Sequence, residues 1–232
     1  MNILAHLNPA FTPLDTAAIV LLLSAWIGIG LIIEHPPARF PSVTLLMQDY
    51  RRDWMRVFVT RVPRIFDATL IDSLRQGTAF FASTCLIAIG GCLALMGNLT
   101  AAETLAQGLM VGNPALLQAK MVLVTGFLAD ALLKYLWAHR LFGYCSILMA
   151  AVPNDPSDPL AFPRAAKAAE INITAARSFN RGLRSIYFAL CALGWLLGAL
   201  PLIGATALTL AVLARREFAS TSRQMLMADR RP

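Results

Sequence analysis

Asp130 and Lys134 stand four residues apart inside Leu116 to Ala138, a largely apolar stretch whose one other charged residue is Lys120 near its start. An ionised carboxylate at membrane depth is expensive, so such a residue is paired or faces water, and it marks ion and proton paths. Two chemistries fit. In the first, Asp130 is a proton or cation site with Ser83, Thr84 or nearby arginines as neighbours. In the second, Asp130 and Lys134 pair along one helical face and fix how that helix packs. Lys120 is expected to reach outward to the interface. A second group consists of Arg51, Arg52, Arg61, Arg64, Arg177, Arg181 and Arg184, all on segments expected to face inward. Rings of arginine select anions in pores, so these residues are candidates for an anion vestibule. The plainer alternative is that they hold topology and bind lipid phosphates.

Other chemistries lack their residues. A serine protease at membrane depth needs a deep histidine, yet His6, His35 and His139 fall in connections or at span ends. An aspartyl protease needs two facing carboxylates, and only Asp130 is deep. The same three histidines are poorly placed to hold haem. Cys85, Cys92, Cys145 and Cys191 show no metal-ligand spacing and read as buried thiols. No glycine loop of the phosphate-cradling type occurs. Ser83-Thr84 and Gly90-Gly91 read first as small residues that let helices approach. The expectation is a protein that is not an enzyme and holds no metal or cofactor.

The elements that must position these residues follow from composition. Of 232 residues, 57% are apolar and 14% charged, and the mean hydropathy is +0.62. Soluble domains carry about a quarter charged residues. So much apolar surface excludes a disordered chain, and four cysteines are too few for a disulfide scaffold. An all-α, polytopic helical membrane protein remains, read as a single transmembrane domain over 1–232. Spans are expected at about 14–33, 79–97 and 116–138. A further apolar run, Ile186 to Leu213, is too long for one ordinary span. Pro201, with Gly198 and Gly204 close by, offers a break, dividing it into spans at 184–200 and 202–218.

Charge orients these spans. Residues 34–78 hold seven Lys or Arg, 139–184 hold six and 214–232 hold five, whereas 1–13 and 98–114 hold none. Basic connections stay on the cytoplasmic side. Five membrane helices, the last two as a hairpin, place every extramembrane basic residue inside. The amino terminus is then outside and the carboxyl terminus cytoplasmic. The start MNILAHLNP lacks the basic region of a cleaved signal, so the first helix is expected to be a retained anchor. The net charge of +7 has this topological cause, and no nucleic-acid partner is expected.

Residues 42–78 predict a cytoplasmic-face amphipathic helical segment. Leu46, Tyr50, Trp54, Val57, Phe58, Ile65, Phe66, Thr69 and Leu70 recur at helical spacing, and Asp49 and Asp53 alternate with Arg51, Arg52 and Arg56. Pro63 divides the segment, and its second piece is read as running into the second span. It is either a docking surface or a helix lying in the headgroups, anchored by Trp54. PNDPSDPLAFP at 153–163 is a loop, after which a helix opens near Arg164. Asn172-Ile173-Thr174 matches a glycosylation acceptor, read as chance on a cytoplasmic segment.

Five motifs, YRRDWM at 50–55, RVPRIFDATLIDSL at 61–74, FFASTCLIAIGG at 80–91, FNRGLRSIYFA at 179–189 and RREF at 215–218, occur in that order. Together they resemble the bacterial membrane-protein family catalogued as domain of unknown function 599, over nearly the whole chain. Ala138-His139 departs from that pattern. The resemblance implies an all-helical integral membrane protein of the bacterial inner membrane and no activity.

Two function classes remain. One is a small oligomeric channel- or transporter-like protein using Asp130 and the inward arginines. The other is a non-catalytic subunit or assembly partner of a larger membrane complex, docking through 42–78. The expected partners are the lipid bilayer and a second copy of the chain or a membrane-complex component.

Overall fold

The computed structural model describes residues 12–98, 100, 104, 108 and 114–228. Helices are α1 (Pro13–Glu34), α2 (Val43–Phe58), α3 (Ile65–Gly97), α4 (Pro114–Ala150) and α5 (Ala161–Leu193), then a 3-10 turn (Gly194–Leu197), α6 (Ala199–Phe218) and α7 (Thr221–Ala228). Among the described residues there is no strand. Four helical stretches are long and apolar enough to cross a membrane: Pro13–Glu34, Ile65–Gly97, Leu116–Ala150 and Ala199–Ala228.

Local chemistry explains where these helices start and stop. Pro13 opens α1, where a missing N–H costs nothing. Ser42 caps α2: its Oγ accepts from the Leu45 N–H at 3.2 Å and donates to the Ile33 carbonyl at 2.8 Å. Past α2 the chain turns through residues 59–64 and re-enters helix at Ile65. From there α3 runs unbroken for 33 residues, about 50 Å, so the second piece of the amphipathic segment does continue into the second apolar stretch. α4 continues twelve residues beyond the expected end of the third span, to Ala150, before the proline-rich loop stops it. α5 opens at Ala161, with Pro163 tolerated in its first turn.

The break in the last apolar run is real but displaced. Helix gives way at Gly194–Leu197, and Gly198 has φ of 121°, which a side chain would strain. Pro201 lies in the first turn of α6, where a helix accepts it. Thus the expected boundary at Pro201 moves upstream to Gly198. Cys191 Sγ donates to the Ala205 carbonyl at 3.3 Å and meets Thr209 Oγ1 at 2.9 Å. A Cβ on Gly194 would lie 3.3 Å from the Pro201 carbonyl oxygen. This close approach folds α6 back along the end of α5.

The chain packs as two compact units, and each long helix contributes a segment to both. Unit 1 comprises the described residues up to Ile32, those within Thr84–Ala131, and Leu183–Arg215. In it α1 buries a narrow stripe of Ala18, Leu22, Ala25 and Ile29, while Val20, Ile27 and Leu31 on its other side are exposed. A helix apolar all round suits a lipid surround. The edge of the Trp26 ring meets Phe127, with centroids 5.4 Å apart.

Unit 2 comprises Ile33–Ser83, Leu132–Gly182 and the described residues from Arg216 onward. Its core joins Met55, Phe58 and Val59 to Ile71, Phe142 and Met149, closed by a row of alanines along α5. Small residues there let the α5 backbone come near its neighbours. α7 packs against α2, with Arg223 Nε donating to the Pro41 carbonyl at 2.9 Å.

Candidate functional site

In unit 1 the sharpest candidate from the sequence, Asp130, is half-buried on α4. Ser185 of α5, itself fully enclosed, donates its hydroxyl to Asp130 Oδ2 at 2.5 Å. Nothing in the sequence singled out Ser185, because a lone serine in an apolar stretch looks like any small packing residue. Lys134 is half-buried one turn further along α4. Ser83 and Thr84, the other candidates from the sequence, are both exposed on α3. Arg184, next to Ser185, is buried in unit 1 beside Gly30.

A second charged cluster was not anticipated. Asp15 is 8% exposed and Lys120 4% exposed. The Trp195 indole N–H donates to Asp15 Oδ1 at 2.7 Å. The other carboxylate oxygen accepts from the Thr12 hydroxyl at 2.6 Å and the Thr12 N–H at 3.1 Å, and the Asp15 N–H returns a bond to Thr12 Oγ1 at 3.1 Å. This is a reciprocal cap at the start of α1. Lys120 Nζ lies 5.5 Å from the centre of the Trp195 ring, a cation–π contact. Lys120 therefore does not extend outward as expected; the Trp195 face and the nearby Asp15 charge make an enclosed position tolerable. The Thr12-x-x-Asp15 spacing was a legible cap signal. The Trp195 link was not, because it joins residues 180 apart.

In unit 2 four of the singled-out arginines take separate partners. Arg52 donates from Nε to Glu170 Oε1 at 2.7 Å, and this bond raises the affinity of the guanidinium for its proton. Arg61 Nη1 lies 2.5 Å from Asp67 Oδ1, and Asp67 is 0% exposed. The Trp54 indole N–H donates to that same oxygen at 2.6 Å. Trp54 is thus turned toward Asp67 and the unit 2 core, which corrects its expected role as a headgroup anchor. Arg64 donates to the carbonyls of Val152 and Pro153 at 2.8 Å and of Val59 at 3.1 Å, with its guanidinium over the Phe58 ring. Arg181 pairs with Glu34 through both carboxylate oxygens.

Arg51 is different. Its hydrogen-bond acceptor is the Asn172 side-chain carbonyl, a neutral group, and burial draws the guanidinium below its ordinary range. Asn172 is 0% exposed, and its amide also donates to Cys145 Sγ at 3.6 Å. An enclosed asparagine cannot present the glycosylation motif to an enzyme. Arg177 shares a cavity with Arg51, and it makes no hydrogen bond or ion pair among the described residues.

Cys85, Cys145 and Cys191 are buried as expected, Cys92 is only half-buried, and all four cysteines are free. Among the described residues no group of His, Cys, Asp or Glu is arranged to hold a metal. His6 lies outside the described residues. His139 Nδ1 meets Thr78 Oγ1 at 3.1 Å, a contact between α4 and α3. No curated protein and no solved structure matches the chain. Residues 17–222 match the family described as "Protein of unknown function, DUF599", and the chain belongs to that family.

Proposed function

We propose that the protein is a small oligomeric channel- or transporter-like protein of a bacterial inner membrane, with Asp130 as its ion- or proton-responsive group. The observation that carries this reading is the hydrogen bond from Ser185 to Asp130, which joins α5 to a carboxylate in an apolar helix. A carboxylate offers about four lone-pair sites, so one that accepts from a hydroxyl can also take a cation or proton. An ionisable group at such depth is a functional candidate by its cost alone. Five membrane helices suit the chain, with α5 and α6 forming the hairpin, the amino terminus outside and α2 on the cytoplasmic face. The turn at Gly198 and the outward apolar residues of α1 favour this arrangement.

The competing class, a subunit that docks through residues 42–78, draws less support. Leu46, Met55 and Phe58 of α2 are already buried within unit 2, and the apolar residues that the segment leaves most exposed are Val57, Val62, Ile65 and Phe66.

Reconstitution into vesicles tests the reading. Asp130→Asn is expected to fold and to reduce pH-dependent ion flux at least about tenfold. A folded Asp130→Asn protein with unaltered flux would overturn the proposal. Lost stability in Asp130→Asn, recovered when Asp130 and Lys134 are both replaced by leucine, would instead assign the carboxylate a packing role.

A further inference from the structure

Unit 2 holds a cavity of about 400 Å³ between the first turns of α3 and the last turns of α4. Its floor is apolar and buried, formed by Phe58, Ile71 and Met149, and its rim reaches solvent at Ala68 and Asp72. From α3 the lining takes Ala68, Ile71, Asp72 and Arg75, the i, i+3, i+4 and i+7 positions of one helical face. A long helical side chain leans over the turn before its own Cα, so the Arg75 stem runs back along Ile71 and Asp72 on the cavity wall. Arg75 Nε is enclosed, and the side chain makes no hydrogen bond or ion pair among the described residues. Arg64 also lines the cavity; its Nη groups are held by backbone carbonyls beside the Phe58 ring, and its enclosed Nε likewise has no hydrogen-bond partner there. Asp72 is exposed and accepts from Gln76 Nε2 at 2.5 Å, so its charge stays in water and answers neither guanidinium.

Enclosed donors without a partner are rare in folded proteins, and one at a cavity wall calls for an acceptor inside that cavity. The planar fork of arginine is matched by a carboxylate, which accepts two parallel bonds from it. The floor sets a second requirement. An inorganic anion gains nothing from Phe58, Ile71 and Met149, whereas an apolar body attached to the carboxylate is drawn out of water there. Small-molecule sites have this make-up, a mostly apolar concavity with a few placed polar groups, and the volume falls in their range. The cavity of about 290 Å³ beside Arg51 differs. Its Glu217 accepts from the Thr44 N–H and hydroxyl, each at 3.0 Å, and among the described residues no enclosed polar atom lacking a partner belongs to its lining. We propose that the cavity between α3 and α4 binds a small organic carboxylate, with its apolar body on Phe58, Ile71 and Met149 and its carboxylate on Arg75. This site is independent of Asp130 and of the transport reading.

The test uses the full chain in lipid nanodiscs and equilibrium dialysis of radiolabelled phenylacetate, with empty nanodiscs correcting for uptake by lipid. Phenethyl alcohol and phenethylamine serve as the neutral and cationic counterparts of the same apolar body. Wild type should bind phenylacetate saturably and at least about tenfold more tightly than either counterpart. Arg75→Gln should remove that preference while leaving the weak binding of the alcohol unchanged, and Arg75→Lys should recover part of it. Should Arg75→Gln fail to fold, Ala68→Trp, at an exposed position on the rim, replaces it and should block phenylacetate by filling the entrance. No saturable phenylacetate binding by wild type, equal or tighter binding of the alcohol or the amine, or undiminished phenylacetate binding by the folded variant would each overturn the proposal.

Discussion

Units 1 and 2 handle buried charge in opposite ways. In unit 1 neutral donors bond the carboxylates, Thr12 and Trp195 at Asp15 and Ser185 at Asp130, and Lys120 adds its charge near Asp15. In unit 2 guanidinium groups dominate, and they staple elements by charge-assisted bonds to Asp67, Glu170, Glu34 or backbone carbonyls. The difference follows from what lies outside each unit's helices. α1 is apolar on every side, so each ionisable group there must be enclosed individually. α2 carries exposed Arg52, Asp53 and Arg56 and can keep its ion pairs in contact with water.

The contrast between the units is sharpest at Asp67. One of its oxygens accepts from both Arg61 and Trp54 at 0% exposure, so Asp67→Ala strands a guanidinium and an indole N–H together. A loss of about 3–5 kcal/mol is expected, read as denaturant stability in detergent. Trp195→Phe in unit 1 removes a single neutral donor, leaves Asp15 its Thr12 bonds and should cost about 1–3 kcal/mol. Equal losses for these two variants would dissolve the distinction between the units. Arg52→Ala should cost under about 1 kcal/mol in the same assay, because its partner Glu170 has a side chain 58% exposed. A larger loss there would mean that the surface of unit 2 is less wetted than its exposed charges imply.

Helical class and most helix starts were legible because they depend on neighbours in sequence. Apolar runs marked the helices long and apolar enough to cross a membrane, Pro63 the division after α2, and the proline-rich 153–163 loop the end of α4. The hairpin break was legible as a region only. Proline attracts attention, yet α6 accepts Pro201 in its first turn, and glycine at 198 makes the turn. Charge pairs divided by range. Asp49–Arg52 and Asp53–Arg56, three residues apart, follow from spacing alone. Arg52–Glu170 and Trp195–Asp15 join distant segments, and no local rule selects one partner among many. Asp130 was therefore visible by its isolation, whereas its Ser185 partner, the Arg51–Asn172 bond and the enclosure of Lys120 were not.

Thr44 and Glu217 are 173 residues apart, whereas Ser42 reaches Leu45 within three, and this disparity sets an order of events on the ribosome. At a synthesis rate of about 5–20 residues per second, Glu217 is made roughly 10–35 s after Thr44. During that interval α2 has its serine cap but lacks the carboxylate that answers its Thr44 N–H. The nascent chain therefore completes this corner of unit 2 late. Arg51, and then Arg177, emerge well before the acidic residue that shares their cavity.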